Sequence, residues 1–370
     1  MKRKQSLTIS EVRAEQVANA KYETIKIAID WHAREYRVVR IIDGAGPEPA
    51  QRFNPSAFLV WVQKQQSMAQ RVYCCYEAGA GGFELHRQLT QLGVTNYLVT
   101  PRRLDVDHRG VQTDATDARQ LAMDLDRYVR GNPKALRLAY VPSPEAEQRR
   151  QESRQREQLR AHRLRLATQG RSLLLGQGWC RSNQWWRPVS WLKLIKELPV
   201  WLREALAIQR RLILAVEREL QALTRRLEKS APALRPVGVG ALSLESIRRE
   251  VCDWGRFGNR KRPGSYAGLC GGVSATGRYR LDLAITKAGN SRLRRLLIEC
   301  AWRMVIYQPQ SRLIRRWRKC LLDRRVHRRV RKKAIVAVAR QLLVELWRWE
   351  TGRRTPEQLG WKMSTVAGAA

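Results

Sequence analysis

Four acidic residues stand where a metal-dependent reaction would use them. Asp30 closes the run Ile25-Lys26-Ile27-Ala28-Ile29, which alternates as a strand does, and Glu77 closes a second apolar run, Arg71 to Tyr76. Asp114 and Asp117 lie in QTDATDARQLA, at i,i+3 spacing on a predicted helix, so they share one face. Carboxylates at two strand ends and on a neighbouring helix can converge on one point. Four close carboxylates repel, and at neutral pH they stay ionised together only with cations between them. Oxygen ligands favour Mg2+ or Mn2+. Two such ions stabilise an in-line displacement at phosphorus, one activating the attacking oxygen and the other holding the leaving one. Each residue also has a plainer reading. An aspartate after a strand is a common turn residue, and DxxD on a helix is often a solvated face or a cap.

A glycine-rich centre forms the second constellation. Gly264, Gly268, Gly271, Gly272 and Gly277 let backbone come close to a bulky ligand, and Arg278, Arg280, Lys287, Arg292, Arg294 and Arg295 follow. Asn290-Ser291 can cap a helix whose first amides would face a phosphate. The plainer reading is a loop, a cap and a solvated basic helix.

Charge narrows the partners. The 370 residues carry 71 Lys and Arg against 33 Asp and Glu, a net charge of +38. Such a surplus selects polyanions, usually nucleic acid. Residues 149–171 hold eight Arg against two Glu, and residues 311–333 hold twelve Lys and Arg against one Asp. Two Glu cannot neutralise eight Arg. Arg160 and Arg163 in the first run are therefore read as nucleic-acid contacts, and Arg102 and Arg103 as phosphate attractors beside the carboxylates. The longest apolar runs, such as Ala334 to Ala339, fall far short of the roughly 20 residues that cross a bilayer. No h-region follows the basic start, so neither a membrane nor a secretory role is expected. Seven cysteines without a CxxC pair read as buried thiols of a reducing cytosol rather than as a zinc site.

The elements that must position these groups can be sketched. Residues 1–20 read as a flexible basic tail. Residues 21–130 read as an α/β domain: a hairpin of strands at 25–29 and 36–42, a helix at 55–69, a strand at 71–76, a helix at 83–92, a strand at 93–100 and a further helix. Residues 131–232 read as a helical, Arg-rich middle. There Ile213, Val216, Leu220, Leu223 and Leu227 form a seam that suits either an intramolecular hairpin or a dimer contact. Trp185, Trp186 and Trp191 read as packing anchors more readily than as base-stacking platforms. Residues 233–352 form a mostly α-helical C-terminal domain, and 353–370 a tail. Pro236 to Gly240 suits a helix-hairpin-helix turn facing a phosphate or a turn joining two domains.

The segments IAIDWHARE, YCCYEAGAGGFELHRQL, YLVTPRR and QTDATDARQLA resemble, in order and spacing, the RuvC-like, RNase H-type DEDD domain of the insertion-sequence 110 family of transposases, related to Piv-type invertases. The run from AGLCGG to ITKAGNSRLRRLL is similar to the C-terminal transposase domain of that family. Over residues 22–350, the resemblance implies that Asp30, Glu77, Asp114 and Asp117 bind the metals. It also implies a hydroxyl nucleophile in the C-terminal domain that holds cut DNA through a covalent phosphoester. The family's serine falls on Thr276 here, with Ser274 two residues earlier. Either can be the nucleophile, or this copy is impaired. Lysine is also missing before the DxxD aspartate, where Val111-Gln112-Thr113 stands. Further implications are two Mg2+ or Mn2+ per site, target and donor DNA, a guiding bridge RNA, a dimer that can become a tetramer, and a bacterial cytoplasmic, nucleoid-associated location. The alternatives are a RuvC-like nuclease with no covalent intermediate and a catalytically impaired RNA- or DNA-binding protein.

Overall fold

The computed structural model describes residues 20–101, 113–180, 184–323 and 325–365, so the expected N-terminal tail lies, but for Ala20, outside the described residues. The chain divides into two compact units at Val141/Pro142. In the first, five strands form one mixed sheet in the order β3-β2-β1-β4-β5. They are β1 (Tyr22–Trp31), β2 (Tyr36–Ile42), β3 (Gln51–Phe53), β4 (Ala69–Glu77) and β5 (Thr95–Val99). β2 runs antiparallel to β1 and β3, while β4 runs parallel to β1 and β5.

Strand alternation decides what each face buries. Ile25, Ile27 and Ile29, with Cys74 and Tyr76, pack on Phe58 and Val62 of α1 (Pro55–Met68) and on Leu85 and Leu89 of α2 (Glu84–Gln91). The opposite face carries Ala28, Cys75, Val39 and Ile41, covered by Ala118, Leu121, Ala122 and Leu125 of α3 (Asp114–Val129). Lys26 also points to that face and is only 3 % exposed. Its ammonium is satisfied by Asp126 Oδ1 of α3 and by the Asp43 carbonyl, both at 2.7 Å. The expected boundary at residue 130 moves outward. Thr100 N donates to Arg137 O and Ala139 N to Leu98 O, so the segment after α3 borders β5 and belongs to this unit.

The second unit is mostly helical. α4 (Pro144–Gly176) packs along α6 (Val200–Ser230), with the short α5 (Pro188–Leu194) between them in sequence. Ile213, Leu220, Leu223 and Leu227 are buried there, so the heptad seam is covered within the chain and the hairpin reading is the one observed. Gly170 is the seat for Trp185: a Cβ there would lie 2.1 Å from the indole. The indole N–H donates to Ala167 O. Trp185 and Trp186 are accordingly buried packing anchors.

A second core joins α7 (Ala241–Val251), α8 (Lys261–Tyr266), α9 (Ser291–Tyr307), the short α10 (Arg312–Arg315) and α11 (Arg318–Leu322), and α12 (Arg328–Glu350). In the Pro236 to Gly240 element the backbone meets protein, since Arg303 Nε donates to Gly238 O. Residues 353–365, read as tail, are structured instead. α13 (Pro356–Leu359) and the buried Trp361 join this core, and β9 (Met363–Thr365) pairs with β6 (Leu234–Pro236). No helix among the described residues is long and apolar enough to cross a membrane. Only Cys74, Cys75 and Cys300 are buried; Cys180 is exposed in the connection after α4, and the other three are half-buried, which corrects the expectation of seven buried thiols.

Candidate active site

The strand register brings the first two carboxylates together. Ile29 lies opposite Tyr76 in the parallel β1–β4 pair, so Asp30 and Glu77 follow at the same level on neighbouring strands. Both fall on the face of Ala28 and Cys75, the face that α3 covers. The α3 N-terminus completes the group. Thr113 caps it, its hydroxyl accepting from Thr116 N while Thr116 Oγ1 accepts from Thr113 N. Asp114 and Asp117 then occupy the first turn, where the helix dipole favours negative charge.

Electrostatics reports their proximity. Burial, and then the neighbouring carboxylates of Asp114 and Asp117, push the Asp30 carboxyl above its usual range, while His32 and Arg37 pull the other way. Among the described residues, no group of three or more His, Cys, Asp or Glu closes tightly enough to cage a metal ion. The donor set nevertheless suits a hard divalent cation: it is all-oxygen, drawn from two neighbouring strand ends and a helix N-terminus, and Asp30 is repelled by Asp114 and Asp117. Arg102 and Arg103 lie outside the described residues.

Gly81 is a site-supporting residue that sequence reasoning did not single out. Its position in AGAGG offered a signal only as a turn. In the structure it lies against the Trp31 indole, and a Cβ there would fall 2.4 Å from the ring. Trp31 directly follows Asp30 and Gly81 lies in the loop after Glu77, so this contact ties the loop to the strand end.

Thr276 and Ser274 lie in the second unit, on a hairpin of β7 (Gly271–Thr276) and β8 (Tyr279–Ile285). Ser274 pairs with Leu281 and Thr276 with Tyr279, which puts both hydroxyls on one face. Gly277, at φ 57°, takes the first turn position, where a two-residue hairpin favours a glycine. Both hydroxyl residues are exposed, as is Arg278 at the turn.

The base of the hairpin is fixed by backbone contact. A Cβ on Gly268 (φ 64°) would lie 2.7 Å from Ala288 O, and one on Gly289 (φ 137°) would lie 2.4 Å from Tyr266 O. Arg294 Nη1 donates to the carbonyls of Ala267 and Lys287, and Lys287 itself sits at φ 55°. The AGL and KAGN segments thus explain each other, because two turns press together with no room for side chains. The close approach of Gly268 is to protein backbone and not to a ligand.

Several basic residues expected to meet nucleic acid already have partners. Arg292 Nε bonds Glu157 Oε2 at 2.9 Å, and Arg295 pairs with the same carboxylate. Arg163 lies 3.5 Å from Glu217, while Arg160 is exposed. Asn290 caps α9, its Oδ1 accepting from Leu293 N and its Nδ2 donating to Glu250 Oε2 at 2.7 Å. Arg154 clasps Glu250 with two bonds of 2.9 Å, a network invisible in the sequence. Burial pushes the Glu250 carboxyl up, but the bonds from Arg154 and Asn290 and the charges of Arg154 and Arg150 outweigh it. The carboxyl is held below its usual range.

The chain is strongly basic and sets carboxylates of two strand ends and a helix N-terminus near one another, and comparison with known proteins gives it a class. Residues 235–315 match the transposase family described as IS116/IS110/IS902. The chain is 31% identical over 306 residues to the Sinorhizobium fredii (strain NBRC 101917 / NGR234) protein named Putative transposase y4rJ, over 74% of this chain and 75% of that one. It is 29% identical over 319 residues to Putative transposase y4qE of the same organism, over 75% of each. The chain belongs to the IS110 family of transposases.

Proposed function

We propose that this DNA transposase cuts and rejoins strands with a DEDD metal site in its first unit and a hydroxyl nucleophile on the β7–β8 hairpin. The observation that carries the reading is the gathering of Asp30, Asp114 and Asp117, with Glu77 level on the adjoining strand and the same face. The strand order, three antiparallel strands followed by two parallel ones, supports an RNase H-like fold for this unit. Asp30, Glu77, Asp114 and Asp117 would hold Mg2+ or Mn2+, which when bound supplies Lewis-acid activation and charge neutralisation at the phosphoryl oxygens. Thr276 Oγ1 attacks DNA phosphorus as it gives up its proton, the P–O bond to the neighbouring nucleoside breaks and that oxygen leaves protonated as a hydroxyl, and the new threonine ester keeps the phosphodiester energy for rejoining. Ser274, on the same hairpin face, is the alternative nucleophile. Strand exchange requires two cut duplexes, hence at least a dimer. A bridge RNA would supply sequence choice, since phosphate contacts from the basic surface carry none.

A suicide DNA substrate tests the chemistry. The wild type should form an SDS-resistant adduct with Mg2+, Thr276→Ala should lose it, and Ser274→Ala should keep it. An adduct surviving in both variants would end the assignment, and cleavage without any adduct would favour a hydrolytic nuclease. Sequencing RNA copurified with the protein tests guidance: a single discrete RNA matching DNA beside the gene is expected.

A further inference from the structure

A cleft of about 1310 Å3 opens in the second unit between β8, α8, α10 and α12. It exceeds the roughly 300–1,000 Å3 of small-molecule pockets, which suits a segment of polymer. Nine Lys and Arg line it against two carboxylates, Asp282 and Glu345. α12 supplies the main wall. Lys333, Ala337, Arg340, Val344 and Arg348 follow at three- and four-residue steps, so cations and small apolar groups alternate along one helical face.

These cations are poorly neutralised. Among the described residues, no carboxylate lies within ion-pair distance of Lys332, Lys333, Arg340 or Arg316, unlike the paired arginines of α4. Burial, then the charges of Arg354, Arg260 and Arg312, lower the Arg348 pKa, although Glu345 opposes them. Glu345 does little to balance the cleft. Burial pushes its carboxyl up, and Gln341 Nε2 donates to one of its oxygens.

The floor is not charged. Leu269, Leu313 and Val344 lie beneath the cations, Leu283 of the hairpin forms one wall, and Trp317 is half-buried at the side. The Arg316 guanidinium lies 5.5 Å from the Trp317 ring centroid. A duplex keeps its bases stacked inside and presents phosphates, so an apolar floor with an aromatic would gain nothing from it. An unpaired strand presents both: phosphates for the rim, and base faces for the leucines and the indole.

We infer that this cleft binds a short unpaired segment of DNA, phosphates on Lys332, Lys333 and Arg340 and bases over Trp317 and the apolar floor. The inference rests on the transposase reading above in taking DNA as the occupant. Because β8 forms one wall, a strand held here also touches the hairpin that carries Thr276 and Ser274.

The test measures binding without metal, so it is independent of the carboxylate site. Anisotropy of a labelled oligothymidylate, a duplex of equal length and an oligouridylate is recorded with the full chain in EDTA at fixed salt. The single DNA strand should bind tighter than the duplex. Lys333→Glu with Arg340→Glu should weaken the single strand at least tenfold. The same charge change at Arg218→Glu with Arg225→Glu, exposed on α6, should cost less than threefold. Trp317→Leu should weaken the single strand by about fivefold or more, the low end for one base–aromatic stack, and leave the duplex unchanged. Equal losses for duplex and single strand, unchanged binding in the cleft variants, or tighter cleft-dependent binding of the ribo-oligomer would each overturn the inference. Asp30→Asn should abolish cleavage in Mg2+ while leaving these affinities intact, which separates failure here from failure of the catalytic reading.

Discussion

Asp30 sits where burial and two like charges all favour its protonated form, so a divalent cation bound there would relieve a repulsion the fold has already built. Asp30→Asn and Glu77→Gln should each lower metal-dependent strand cleavage by more than about 10²-fold, since even residues behind metal ligands commonly cost 10–100-fold. Thermal unfolding should shift little. A collapse in stability would instead make these residues structural. Glu250 is the opposite kind of carboxylate. Its charge is satisfied by Arg154, whose side chain is 30 % exposed. Glu250→Gln should therefore destabilise the second unit by about 2–3 kcal/mol, somewhat less than the 3–5 for breaking a fully buried pair. The folded pKa of Glu250 lies below its unfolded value. Its contribution is thus complete above the unfolded carboxylate range, near 4.3, and disappears as pH falls through the lower folded value. Urea titrations from pH 7 to pH 3 should show the gap between wild type and variant closing at the acid end. An alternating run placed Asp30 at a strand end and an apolar run placed Glu77 at another, because both patterns are local. Glu250 was not legible, because its partners lie 96 residues upstream and 40 downstream.

At the scale of elements, the AGL and KAGN turns press backbone against backbone at two glycines of positive φ. Gly289→Ala would force a Cβ into Tyr266 O at an unfavourable φ, and Gly268→Ala would do the same against Ala288 O. Each should cost more than about 2 kcal/mol, measurable by chemical denaturation, with Gly277→Ala at the open hairpin turn costing less. Gly81→Ala should slow cleavage more than it lowers the melting temperature, because the displaced Trp31 neighbours Asp30. Strands β1, β2, β4 and β5 and helices α1 to α3 were readable from periodicity and turn residues. β3 and the segment beside β5 were not, since three-residue pairings draw their stability from neighbours rather than from their own pattern. The seam at 213–227 was readable as apolar spacing, yet spacing alone does not say whether the covering helix comes from the same chain.

For the whole molecule, composition announced a polyanion partner but not which charges meet it. Glu157 holds two arginines of α9 and Glu217 one of α4, whereas among the described residues Lys332, Lys333 and Arg340 of α12 have no carboxylate at ion-pair distance. DNA affinity should fall steeply with salt, with log K linear in log salt. Neutralising Lys332 and Lys333 should flatten that slope for a single DNA strand by about 1.4, whereas neutralising Arg292 and Arg295 should change it by less. The free-standing hairpin carries a last implication. Its root is locked by touching glycines while its outer length projects into water, so it works as a cantilever. Amides at 266–270 and 286–290 should resist hydrogen exchange long after those near Gly277 have traded. Whatever grips the tip, DNA or protein, sets where the Thr276 and Ser274 hydroxyls come to rest.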